Sequence, residues 1–211
     1  MKNLSLTLLF IGLSCVSCKK EEAPKNETEA PSNEVVSNEV KPDSAAVAKA
    51  WTDYATPTKA HEMLAKDTGI WDADMSFWSP ENPEPQKATS VAEYKMILGG
   101  KYQEAKYTGE IWGMPFEGRG LTAFDNATEE FIATWIDNMG TGVLVSKGKY
   151  DEATKTLTFN GKMVDPVTKK EKQIKEVITY IDDNNQKMEM FDIDENGKEF
   201  KNMEILSKRR K

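Results

Sequence analysis

Only two cysteines occur in the 211-residue sequence, Cys15 and Cys18, and both stand at the end of an N-terminal apolar segment. The chain beyond them has no thiol for a disulfide, a redox pair, a nucleophile or a thiolate metal site. Histidine occurs once, at His61. Zinc sites built from imidazole and thiolate need several such ligands, so none can be assembled. A Ser-His-Asp triad needs a single histidine, but there is no Gly-x-Ser-x-Gly elbow to present the serine. A Walker loop and a Gly-x-Gly-x-x-Gly fingerprint are absent as well. The residues therefore call for no cofactor and no metal. Positive charge is the scarcer sign, 28 basic against 35 acidic residues for a net −7, which argues against nucleic-acid binding through a general field. No apolar run approaches the roughly 20 residues of a membrane-spanning helix.

What the N-terminus does have is a shorter apolar run. Lys2 precedes it, Leu4 to Leu13 form it, and Ser14-Cys15-Val16-Ser17-Cys18 end it. That is the layout of a secretory signal peptide, residues 1–17. Ser17-Cys18 resembles the lipobox of bacterial lipoproteins, which implies acylation of Cys18, with Cys15 as the alternative. The charged run Lys19-Lys20-Glu21-Glu22 follows Cys18 at once and resembles the export signal of Bacteroidetes surface lipoproteins. Each acyl chain adds about 0.8 kcal/mol per buried methylene, so several on one cysteine anchor a protein stably. The expected location is the envelope of a Gram-negative bacterium, on the outer membrane, facing the periplasm or the surface. Loss of residues 1–17 removes one charge, Lys2, and takes the net value from −7 to −8.

From Lys19 to Ala50 there is no aromatic residue, and Glu, Asn, Pro, Ser and Lys dominate. Such a stretch cannot bury enough surface to offset the entropy of ordering. Residues 18–43 read as a tether and 44–211 as one folded domain, since all five tryptophans lie at or after Trp51.

Residues 44–66 favour a helix, interrupted by Pro57. After Gly69 the pattern changes to short segments rich in β-branched and aromatic residues. Strands are expected near Ile70–Trp78, Thr89–Leu98, Lys101–Ile111, Gly118–Phe124, Glu130–Asp137, Gly142–Tyr150, Lys155–Val164, Gln173–Asp182, Lys187–Ile193 and Glu199–Leu206. Turn chemistry separates them, as at Gly99-Gly100, Asp125-Asn126, Asp183-Asn184-Asn185 and Asn196-Gly197. Phe131, Ala133 and Trp135 share one face, as do Leu157, Phe159, Gly161 and Met163. About ten such strands imply a mostly β fold, an antiparallel closed or nearly closed barrel with a short N-terminal helical segment. The C-terminal Lys208-Arg209-Arg210-Lys211 reads as a solvated basic tail.

His61-Glu62-Met63-Leu64, Gly69-Ile70-Trp71, Leu98-Gly99-Gly100-Lys101-Tyr102, Pro115-Phe116-Glu117-Gly118, Phe124-Asp125, Trp135-Ile136-Asp137 and Gly148-Lys149-Tyr150-Asp151 form a recognisable series. The series resembles the bacterial family designated domain of unknown function 1579, over about residues 58–206. Lys101 stands where that family usually has arginine, and Phe124 where it has tyrosine. The resemblance implies a barrel of lipocalin or calycin type and is silent about activity.

Barrels of this size either fill with side chains or hold one small ligand. A small apolar or amphipathic ligand is the leading expectation. The candidate binding residues are Trp112, Phe116, Arg119, Trp135, Asp137 and His61. Trp112 and Phe116 offer apolar contact, Gly118 and Gly120 permit close approach, and Arg119 offers a fixed positive donor. His61 reads either as a capping residue at one barrel end or as an axial ligand or base at a cavity mouth. The alternatives are a filled barrel serving as a structural or interaction lipoprotein, and an enzyme using Asp137, Glu176 or Glu104 with Arg119. Asp192-Ile193-Asp194-Glu195-Asn196-Gly197 resembles the start of a calcium loop, but Met203 occupies the position of the closing carboxylate, so a hairpin turn is expected there.

Overall fold

A computed structural model describes residues 43–211. The segments expected to be a signal peptide and a tether, with Cys15 and Cys18, fall in residues 1–42, outside the described residues. Two helices, α1 (Ser44–Ala55) and α2 (Lys59–Ala65), precede ten strands. These are β1 (Gly69–Ser79), β2 (Asn82–Ile97), β3 (Tyr102–Ile111), β4 (Met114–Asp125), β5 (Glu130–Asp137), β6 (Leu144–Asp151), β7 (Thr156–Val164), β8 (Glu171–Asp182), β9 (Asn185–Ile193) and β10 (Glu199–Arg209).

The helices have local causes. The Asp43 carboxylate caps α1 by accepting the Ala46 N–H at 2.7 Å. Thr56, held extended in front of Pro57, ends it. α2 starts at Thr58, whose N–H donates to Nδ1 of His61 at 3.0 Å. The histidine thus takes the place that glutamate fills in a capping box.

Each strand pairs antiparallel with its successor, and β10 returns to β1 from Trp71↔Arg209 to Phe77↔Met203, closing the barrel. Alternation then divides the side chains. Trp71, Ala73 and Met75 of β1 stand opposite Ala92, Ser90 and Ala88 of β2 on the inner face. One apolar cluster runs from these residues to Tyr107, Ile111, Phe116 and Ile205. A second lies under α2, where Leu64 meets Phe131, Leu157 and Phe159.

Two strands, β2 and β4, begin well before the sequence suggested. β2 starts at Asn82 and carries Pro83 and Pro85. Its pairing with β3 begins only at Thr89, whereas its pairing with β1 reaches Asn82. Residues 82–88 thus have one free edge, where a missing N–H leaves no ladder bond unmade. β4 starts at Met114, because Trp112-Gly113 makes a two-residue turn with φ of 54 and 77. Such turns require positive φ at both positions and favour glycine or asparagine, so tryptophan at the first position disguised it.

The C-terminal basic run is not a free tail. Arg209 donates to the carbonyls of Thr68 at 2.7 Å and Asp183 at 3.0 Å, and also to that of Lys66. Its guanidinium lies 4.2 Å from the centre of the Trp71 ring. Arg210 pairs with Asp72 at 2.6 Å.

Candidate functional site: the barrel interior

α2 and Arg209 close one end of the barrel around Asp67. Gln103 donates to the Asp67 carboxylate at 3.0 Å and to the Leu64 carbonyl at 2.8 Å. Gln186 donates to the second carboxylate oxygen. The Trp71 indole N–H donates to the Asp67 carbonyl at 2.7 Å. Burial raises the Asp67 pKa to about 6, against the lowering effect of the two amides and of the Arg209 charge. His61 belongs to this closed end. It is buried, its Nδ1 is spent on Thr58, and its ring stands edge-on to Phe124 at 5.9 Å. Nδ1 accepts, so the ring proton sits on Nε2, and burial lowers the pKa in keeping with a neutral ring.

Further in, aromatic side chains form one wall. The Tyr94 and Tyr107 hydroxyls hydrogen-bond to each other. Tyr107 stands edge-on to Trp135 with ring centres 5.3 Å apart. Burial pushes the Tyr107 pKa up to about 12 and that of Tyr94 well above the usual range, so both stay neutral. Trp135 donates from its indole N–H to Asp137 at 2.8 Å. Its ring lies across Gly118, where an added Cβ would stand 2.4 Å from a ring carbon. The glycine is required there by the tryptophan, and not by a ligand.

The opposite wall is different. On β8, Ile174, Glu176, Ile178 and Tyr180 share the inner face, opposite Asp192, Met190, Met188 and Gln186 of β9. Met188 in turn faces Ile205, and Met190 faces Met203, on β10. Ile174 is fully packed, yet Glu176, Ile178, Met188, Met190 and Met203 are only half-buried. Inside a closed barrel, an inward side chain that keeps accessible surface borders open space rather than neighbouring atoms. Glu176 stands between Phe159 of β7 and Met190 of β9. Its carboxyl has no hydrogen-bonding or ionic partner among the described residues, and burial alone raises its pKa to about 7.

The residues singled out in the sequence separate into groups. Phe116, Trp135 and Asp137 face inward, and Phe116 and Trp135 belong to one cluster. Trp112 lies in the β3–β4 turn at the end away from α2, 56% exposed, edge-on to Phe77 at 5.5 Å. Arg119 does not join them. It alternates with the inward Gly118 and Gly120, lies on the outer face, and pairs with Glu117 at 3.1 Å. Glu104 is also on the outer face, paired with Lys95 at 2.7 Å. The catalytic grouping of Asp137, Glu176 and Glu104 with Arg119 is therefore not assembled, because strand alternation sends two members in and two out. Asp194, in the segment resembling a calcium loop, accepts the N–H groups of Asn196 and Lys198 and closes the β9–β10 turn.

The likeness to other proteins agrees with this architecture. In fold the chain is similar to Rv2717c from M. tuberculosis, at 11% identity and a TM-score of 0.52, over 74% of this chain and 100% of that one. It is likewise similar to the S-type phycobiliprotein lyase CPES from Guillardia theta, at 11% identity and a TM-score of 0.51, over 72% and 93%. At that identity the likeness is one of fold. No curated protein matches the sequence. The family described as Protein of unknown function (DUF1579) matches residues 56–209, which include all ten strands and α2, and the chain belongs to that family.

Proposed function

We propose that this protein is an envelope lipoprotein, tethered through acylated Cys18, whose barrel binds a small amphipathic ligand in its interior. The observation that carries the reading is the uneven interior. The side of β1–β4 is filled by Trp71, Ala92, Tyr107 and Phe116, while the side of β8–β10 leaves Ile178, Met188, Met190 and Met203 with free surface around an unpaired acid. Methionine walls adapt to varied apolar shapes, and a pocket lined by apolar groups with a few polar ones is the usual form of a small-ligand site. Trp112 and Phe77 stand at the end remote from α2, where a ligand would enter. Two placements count against a filled structural barrel: a packed interior would leave no accessible surface on inward methionines, and an unpaired interior carboxyl serves no packing purpose.

The test is titration with the neutral fluorescent probe N-phenyl-1-naphthylamine, together with native mass spectrometry of protein purified from its own host. Saturable binding is expected, and Met190→Trp, which fills the space beside Glu176, should abolish it without changing the far-ultraviolet circular dichroism. A wild type that binds no probe and retains no ligand mass would leave the filled-barrel reading standing instead.

A further inference from the structure

We propose that the ligand is a cationic amphiphile, a small apolar molecule carrying a protonated amine that pairs with Glu176. The inference rests on the ligand-binding reading and deepens it by assigning the head group. The charged groups of the inner face decide it. Arg209 is spent on three carbonyls and the Trp71 ring at the closed end. Lys172, at the other end, is paired with Asp192 at 2.8 Å, and Asp192 also accepts from Asn202 at 2.7 Å. Asp67 is held by Gln103 and Gln186, and Asp137 by the Trp135 indole and the Met139 N–H at 2.9 Å. Among the described residues every inward cation is committed, so none is free to receive an anionic head.

Among the described residues, Glu176 is the one inward charged group with no partner. Around it stand Phe159 and Gly161 from β7, and Met188 and Met190 from β9. Tyr107 and Tyr180 are close enough to feel its charge, and burial is the main cause that raises both their pKa values, so they stay neutral. An ammonium group placed here meets a carboxylate for a charge-assisted hydrogen bond, with the neutral Tyr107 and Tyr180 rings nearby as aromatic surface for a cation. Its apolar body meets Ile178 and the methionines. A fatty acid or other anionic amphiphile meets the reverse: a like charge, and no free donor of positive sign.

The experiment is displacement of N-phenyl-1-naphthylamine from the whole chain beyond residue 17, made without acylation, by octylamine, octanol and octanoate. At about pH 8, octylamine should displace the probe at concentrations about tenfold below octanol, a preference one buried ion pair can supply. In Glu176→Gln, the ratio of octylamine to octanol displacement should fall to about one, whatever the variant's affinity for the probe. Should this variant fail to fold, the wild type still decides: near pH 5.5, where Glu176 holds its proton, the preference over octanol should disappear. Octanol or octanoate matching octylamine at pH 8, or a preference unchanged at pH 5.5 or in Glu176→Gln, overturns the amine assignment and leaves the binding reading in place. A wild type that binds no probe overturns both.

Discussion

Single residues hold this barrel's closed end and set its response to pH. Trp71 is wholly buried, bonded through its indole N–H to Asp67 and covered by Arg209. Trp71→Ala should cost about 3–5 kcal/mol, read from the denaturant midpoint; a near-wild-type midpoint would mean that the closed end contributes little. The two raised carboxyls act in the opposite direction. Glu176 has a folded-state pKa of about 7 against an ordinary 4.5. Below 4.5 both the folded and unfolded forms are protonated and no penalty exists. As pH rises, the unfolded chain ionises first, and native stability falls until about pH 7. Asp67 does the same between 3.8 and about 6. His61, with a lowered pKa, has the opposite sign and loses stability as pH falls. Comparison of Glu176→Gln with wild type isolates the contribution of this carboxyl. The wild type should gain about 2 kcal/mol relative to the variant between about pH 7.5 and pH 5, measured by chemical denaturation at each pH. Equal pH profiles would show that Glu176 is solvated. The sequence made Trp71 and Trp135 readable as interior, since both sit in expected strands where apolar residues alternate, whereas Phe116 was read as a ligand contact and proves to be packed in the core. It could not make Glu176 stand out, because β8 offers Ile174, Ile178 and Tyr180 on one face and Val177 and Ile181 on the other, so either face could have been the inner one.

At the scale of elements, the helices contribute unequally. α2 buries His61 and Leu64 in the closed end. α1 buries nothing; Val47, Trp51 and Tyr54 are exposed along it. Its hold on the barrel is Asn126, which donates to the carbonyls of Asp53, Tyr54 and Thr56 at 2.8–3.2 Å. Removal of everything before Thr56 should therefore cost less than about 1 kcal/mol, since water can replace those bonds at an accessible amide. A large drop in melting temperature for that truncation would show that α1 or the segment before it packs on the domain. Strand existence and order were legible from alternation and turn residues, and β5 has the bounds expected of it. The start of β2 was hidden by Pro83 and Pro85, which signal a loop unless one knows that the neighbouring strand stops short. The start of β4 was hidden by tryptophan in a turn that usually takes asparagine. Arg119 was misplaced for a related reason: its glycine neighbours suggested a loop, and only the register shows that they clear space for Trp135.

For the whole molecule, the sequence carried the closed barrel and its family through motifs that prove to be structural. His61 caps a helix, Gly118 accommodates a ring, and Asp125 and Asp151 accept the N–H groups of their own turns. Motifs of this kind report fold and are mute about ligand, which is why the interior acid had to be found by geometry. The proposed attachment to a membrane also belongs to the whole molecule. Cys18→Ser should release the protein from the membrane fraction, and the intact mass of the wild type should show an acylated N-terminal cysteine. A Cys18→Ser protein that remains membrane-bound with Cys15 unmodified would refute the anchor.

The seam between β1 and β10 joins the first strand of the chain to the last, Trp71 beside Arg209. Contacts so distant in sequence slow folding, because the intervening loop must close before they form. A chain exported as proposed, N-terminus first, cannot make this seam until β10 has emerged. During that interval β1 shows an unpaired edge, able to accept a strand from another molecule. On the proposed export route the interval is set by the rate of export and is indifferent to how stable the finished barrel is. For a protein exported as proposed, a holding chaperone on the far side of the membrane would therefore matter more to its yield than a mutation that strengthens its core.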